Sequence, residues 1–246
     1  MADTPRMHAP RIRVGTSGFS YTEWRGAFYP EKLPAKQYLS FYGQHFETTE
    51  INASFYRIPR RTTTEGWYAE VPAGFAFTLK LSQRITHIKR LRDVDQEMTW
   101  FMDAALGLQD KLGSILVQLP PNFKADIERL DAFLVRHARH ARLAVEFRHP
   151  SWYADEVYEA LRRHGAALAV VEMEDGDDVP RPREVTADFV YVRLRKGDYT
   201  ADELRDWATW LRAQSGDVFC YLKHDERAPE LALALLRALA GISTEA

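Results

Sequence analysis

A chain of 246 residues, 46% hydrophobic and 28% charged, has the composition of an ordinary globular protein and the length of one large domain. A formal net charge of −2 gives no global attraction to nucleic acid or to an anionic membrane, so any anion site must be local. One cysteine, Cys220, excludes an internal disulfide framework, and no stretch approaches the roughly 18 apolar residues of a membrane span.

Residues 1–10 lack the apolar core of a signal peptide and read as a disordered lead, followed by a single domain over 11–242. A cytoplasmic protein without membrane association is the expectation. Strand-like runs, rich in β-branched and aromatic residues, follow at 12–19, 47–56, 75–82, 114–120, 142–148, 167–174, 189–195 and 217–225. Cys220 lies within the last of these, where a buried thiol is expected.

Helical patterns lie between most of them. Pro34 opens one with Tyr38, Leu39, Tyr42 and Phe46 on one face. Asp93 or Asp95 can cap a second that runs to about Lys111, and Asp126 can start a third. Ser151 can cap a fourth that Gly165 stops, and Thr200 a fifth that carries Trp207, Trp210 and Leu211. Pro229 opens the last, and Gly241 ends it. The polar, proline-containing stretch 175–188 has no helical period, so the sixth crossover should be short or lack a helix.

Strand and helix alternate about eight times. That order predicts an α/β fold, a single-domain (β/α)₈ TIM-like barrel of roughly 250 residues, with an open doubly wound sheet as the alternative. The strands of an open sheet should be apolar on both faces, and here they are not. One parity is apolar, while the other holds Glu50, Asn52, Lys80, Glu146, Arg148, Arg193 and Arg195. If the apolar parity packs on helices, these charges point into the centre of the barrel. Charges there are costly unless paired or used.

Sites in such barrels form at the strand C-termini and the loops that follow. That rule selects Ser17, Tyr21 and Trp24 after the first strand, then Asn52 and Tyr56, then Lys80, Arg84 and His87. Gln118 follows on the fourth strand and Arg148 and Trp152 on the fifth. Arg193 and Arg195 come from the seventh and Asp225 from the eighth. The segments 57–64 and 82–92 carry three arginines and four Lys or Arg respectively, with no acid. Because arginine forks bind phosphate and carboxylate oxygens, an anionic ligand is expected, phosphorylated or derived from nucleic acid.

Glu146 and Glu50 are candidate general acid or base, and Lys80 a candidate stabiliser or, if desolvated near cations, a nucleophilic amine. Each could equally serve only to neutralise a neighbour. No cofactor is expected. His87, His149, His224, Glu146, Glu172 and Asp225 could converge on a divalent metal, but no His-x-His, HExxH or paired-cysteine spacing supports it. The segment GTSG at 15–18 lacks the P-loop spacing and its Lys-Ser/Thr, so a tight turn is expected there.

Five ordered segments together resemble a known family: GTSGFSYTEWRGAFYP at 15–30, FETTEINASFYRIP at 46–59, FTLKLSQRITH at 77–87, GSILVQLPPNF at 113–123 and AVEFRHPSW at 144–152. The resemblance is to the DUF72, or YecE-like, family, and implies a barrel fold with no settled activity. Many members of that family carry Phe-Asn-Asn-Asp on the last strand and Arg-Leu-His-Gly on the seventh. This chain has YLKHD at 221–225 and RLRKGDYT at 193–200. Asp225 is kept, whereas the asparagines and the histidine are not.

The function expected is therefore binding of an anionic ligand in a basic pocket at the strand C-termini. If the chain is an enzyme, the implied class is a hydrolase or transferase acting at phosphate or sugar. The rivals are a non-catalytic nucleic-acid binder and a carbohydrate-active enzyme using Glu50 and Glu146.

Overall fold

Alternation at period two dictates which side of each strand meets the helices, and the structure follows it. The structure, a computed structural model, describes residues 10–174, 179–223 and 225–241. Its strands are β1 (Ile12–Ser17), β2 (Thr48–Ile51), β3 (Ala76–Lys80), β4 (Leu112–Gln118), β5 (Leu143–Glu146), β6 (Ala167–Glu172), β7 (Phe189–Leu194) and β8 (Asp217–Leu222). All pair in parallel with their sequence neighbours, and β8 returns to β1, closing the barrel in the order 1 to 8. Closure is direct: Thr16 pairs with Thr49 on one side and with Leu222 on the other.

The helices are α1 (Tyr38–Tyr42), α2 (Ala53–Tyr56), α3 (Arg61–Glu70), α4 (Asp95–Leu106), α5 (Ile127–His137), α6 (Asp155–Arg163), α7 (Ala201–Arg212) and α8 (Ala228–Leu239). Two apolar regions result. Ile115, Val117, Leu143 and Val145 belong to the outer core between sheet and helices. Leu116, Ala144, Ala167, Ala169, Tyr191 and Tyr221 fill the lumen. Cys220 is buried on the helix side, where burial pushes its thiol far above the usual range.

Several boundaries are set by local chemistry read from the sequence. Asp126 accepts the Arg129 amide at 3.1 Å and starts α5. Thr200 and Glu203 form a reciprocal capping box at the start of α7. Gly165 follows α6 at φ +63°, a conformation that costs glycine little. Among the described residues no helix joins β6 to β7, and the Thr186 hydroxyl, bonded to the Leu168 amide and the Ala166 carbonyl at 2.7 Å, ties that link to the sheet.

Other boundaries differ. Neither Asp93 nor Asp95 caps α4, which starts after Val94 without a side-chain cap. Ser151 does not cap α6. It sits in a separate turn, Pro150–Trp152, and its hydroxyl accepts the Ala125 amide at 2.8 Å. The segments expected as basic loops contain α3 and a π-helical turn over Arg84–Ile88. The segment 15–18, expected as a tight turn, is strand as far as Ser17, and the chain leaves β1 only at Gly18. A Cβ on Gly15 would collide with the Thr48 carbonyl oxygen, and Gly18 adopts φ +93°. Residues 1–9 and His224 lie outside the described residues.

Candidate functional site at the barrel mouth

The lumen is layered. Its floor is a chain of hydroxyls: Tyr221 bonds Thr48 at 2.8 Å and Thr78 at 2.7 Å, and Thr78 bonds Ser114 at 2.7 Å. The Tyr191 and Tyr221 rings lie 5.4 Å apart beside it. Because side chains alternate along each strand, the next inward positions toward the C-terminal ends are Glu50, Lys80, Gln118, Glu146 and Arg193.

Arg193 is the centre of this layer. Its guanidinium donates to Glu50 at 2.7 Å and to Glu146 at 2.6 Å, with Gln118 at 3.4 Å, and it is 1% exposed. Glu50 also accepts the Ser17 hydroxyl at 2.7 Å and the Tyr191 hydroxyl at 2.5 Å. Glu146 takes a second ion pair, from Arg148, whose other terminal nitrogen contacts the Met173 sulfur at 3.4 Å. Burial alone would raise both carboxyls. Arg193 outweighs it, holding Glu50 below the usual range and, with Arg148, holding Glu146 at about 2. Both are carboxylates at neutral pH.

Two further cations reach this mouth. Lys80 ends β3 with Nζ 4.2 Å from the centre of the Phe55 ring, and Arg195 follows β7. Neither forms an ion pair or a side-chain hydrogen bond among the described residues. Burial, then Arg193, lowers Lys80 to about 8, and the same two causes lower Arg195 from its usual range. Four cations, Lys80, Arg148, Arg193 and Arg195, thus face two carboxylates, Glu50 and Glu146, leaving two uncompensated positive charges. Excess charge of one sign in a partly buried cleft favours a ligand of the other.

The remaining candidates divide. His87 packs edge-on against Phe55 at 4.8 Å and bonds Thr86 at 2.8 Å; burial, Lys80 and Arg148 lower its pKa, so it is neutral at pH 7. Asn52 is half-buried at the end of β2, and the Tyr21 hydroxyl donates to the Ser17 carbonyl at 2.9 Å. Asp225 accepts the Arg227 amide at 3.1 Å, at the entrance of α8. Tyr56 is 74% exposed.

Three candidates belong elsewhere. Trp24 is fully buried among Tyr21, Phe28 and Tyr29, with its indole N–H on the Asp225 carbonyl. Trp152 stacks on Phe147 at 4.7 Å and donates to the Phe123 carbonyl. Both are core aromatics rather than stacking platforms for a ligand. Arg84 turns away to Glu97 of α4 at 2.8 Å, where Lys89 joins it at 2.9 Å, and Arg61 pairs with Glu65 and Asp103. The expected basic loops are therefore partly neutralised by acids of neighbouring helices.

The metal set does not converge. Glu172 accepts the Trp207 indole N–H at 2.9 Å, His149 bonds Ser151 at 2.9 Å, and among the described residues no group of three or more His, Cys, Asp or Glu could hold an ion. Reading by residue type passes over Tyr191, although it shares the parity of Arg193 and Arg195 in FVYVRLR, which is the signal that could have found it.

Fold and site together define a single (β/α)₈-barrel protein with a cation-rich mouth. The chain belongs to the family described as Protein of unknown function DUF72, whose model matches residues 13–245. It is 30% identical over 158 residues to UPF0759 protein YunF of Bacillus subtilis, covering 60% of this chain and 54% of that protein. It is 29% identical over 128 residues to UPF0759 protein YecE of Escherichia coli K12, covering 52% of this chain and 47% of that one. The chain thus spans about half the length of the curated relatives it matches. A solved DUF72 family protein from Thermotoga maritima superimposes with a TM-score of 0.81 at 27% identity, covering 94% of this chain and 99% of that one. Another, from Enterococcus faecalis, matches at 0.74 and 20% identity, covering 97% and 100%, and shares the fold. Among the described residues no helix is long and apolar enough to cross a membrane.

Proposed function

We propose that this barrel binds a small anionic ligand, bearing a phosphate or carboxylate, at the C-terminal mouth of the sheet. One observation carries the reading: Lys80 and Arg195 are held half-buried at the barrel mouth without acidic partners, beside Glu50 and Glu146, whose carboxylates are already ion-paired with Arg193. Keeping two such cations unpaired is costly in the free protein and is relieved when an anion enters.

The same charge distribution separates the rivals. A nucleic-acid backbone needs cations spread over an exposed surface, whereas Arg61, Arg84 and Lys89 are paired with Asp103, Glu65 and Glu97. A glycosidase needs one protonated carboxyl, and Glu50 and Glu146 are both ionised on one arginine.

The test is thermal unfolding and calorimetry with inorganic phosphate, phosphosugars, 2-oxo acids, neutral sugars and short single-stranded DNA. Phosphate- or carboxylate-bearing small molecules should raise the melting temperature, and Arg195→Ala should abolish the rise. Equal affinity in Arg195→Ala, or a response to DNA alone that fades steeply with salt, would overturn the proposal.

A further inference from the structure

Lys80 is placed as a nucleophile is placed. Its backbone carbonyl is pinned by the Ser54 hydroxyl at 2.7 Å, its amine rests on the Phe55 ring, and that ring is braced by His87. The carboxylates that would ordinarily quench an amine, Glu50 and Glu146, are both engaged by Arg193. Arg148 and Arg195 share the mouth and can hold an anionic tail while the amine meets another part of the same molecule.

We propose that Lys80 forms a Schiff base with a carbonyl compound carrying a phosphate or carboxylate group, an inference that rests on the anion-site reading above. The neutral amine forms a bond from Nζ to the carbonyl carbon, and the carbonyl π pair moves to oxygen, which takes a proton. Nitrogen gives up one proton, leaving a neutral carbinolamine; the hydroxyl then takes a second proton, the C–O bond breaks, water leaves, and nitrogen sheds its remaining proton as C=N forms. One amine and one carbonyl become one imine and one water, with no oxidant or reductant.

The groups that set the proton balance lie on the neighbouring strands and turns. Arg193, Arg195 and Arg148 oppose a charge on Lys80, Glu50 and Glu146 favour it, and neutral His87 can accept and return a proton. With Lys80 lowered to about 8, roughly a tenth of the amine is neutral at pH 7, against well under a thousandth for an ordinary lysine.

The experiment is borohydride trapping on the full chain. The probes are glyoxylate, pyruvate, glyceraldehyde 3-phosphate and dihydroxyacetone phosphate, with uncharged glyceraldehyde and dihydroxyacetone beside them. Intact mass and peptide mapping should find one reduced adduct at Lys80. At least one charged probe should react about tenfold or more above both uncharged ones, the gain expected from one charge-assisted contact. The adduct should vanish in Lys80→Arg and in Lys80→Met, each checked for cooperative melting.

Adducts scattered over surface lysines, or undiminished in both variants, overturn the inference. If calorimetry shows inorganic phosphate bound yet no probe labels Lys80, the Schiff base falls while the anion site stands. If neutral and charged probes label Lys80 equally, the anion-bearing substrate class falls. The 2-oxo acids and the phosphorylated probes distinguish the two anion sources.

Discussion

Replacing Lys80 by methionine should stabilise the protein at neutral pH. The ammonium is half-buried, has no acidic partner, and is lowered from 10.5 to about 8 by burial and then by Arg193. Each unit is worth about 1.4 kcal/mol, so carrying the charged amine in the folded chain costs roughly 3 kcal/mol below pH 8. Methionine keeps an apolar stem against Phe55 but gives up the cation–π contact, worth about 1 kcal/mol at such a site. The expected net gain is about 2 kcal/mol at pH 7. The sign of the pH dependence follows from linkage. Between the folded value near 8 and the unfolded 10.5, the unfolded chain binds more protons, so the wild type gains stability as pH rises. Urea unfolding of both proteins at pH 7 and pH 10 measures the gap, which should shrink by most of its value at the higher pH. A variant less stable than wild type at pH 7, or a gap indifferent to pH, would refute the picture of an unpaired, desolvated amine.

Three other outcomes follow from the same geometry. Arg193→Met strands Glu50 as a buried carboxylate without an ion pair, leaves Glu146 with Arg148 alone, and should cost about 3–5 kcal/mol at pH 7, less at pH 4 where Glu50 can protonate; parallel denaturation curves read the difference. Glu146 is held at about 2 against a usual 4.5, so it contributes roughly 3 kcal/mol above pH 4.5 that disappears as pH falls toward 2. An acid titration followed by circular dichroism should show that limb, flattened in Glu146→Gln. Thr200→Ala breaks the capping box of α7 and should cost about 1 kcal/mol, with Thr200→Ser restoring most of it in thermal melts.

How much of the site was legible can be followed residue by residue. Period-two alternation placed Glu50, Lys80, Glu146 and Arg193 on the inner side of their strands, and there they are. It did not say what they would do. A carboxylate pair suited to acid–base work and a central arginine free for a ligand were equally readable, and the structure consumes all three in one cluster. Residue type also misled at Trp24 and Trp152, because an aromatic near a strand end can stack on a ligand or fill the rim, and only packing separates the two. Arg84 and Lys89 looked free because no acid lies within 82–92, yet the first turn of α4 brings Glu97 back to them.

By itself the sequence determined the eight strands, the inward face of each, the caps of α5 and α7, and the helix-poor sixth crossover, since alternation, capping and proline act over a few residues. The partners of the inward charges were decided by tertiary structure. Arg193 and Glu50 lie 143 positions apart on strands β7 and β2, which face each other across the lumen and meet only because the ring closes. Ion pairing depends on distances of a few ångströms that no local pattern encodes. Closure therefore settled which charges were neutralised, and left Lys80 and Arg195 unpaired.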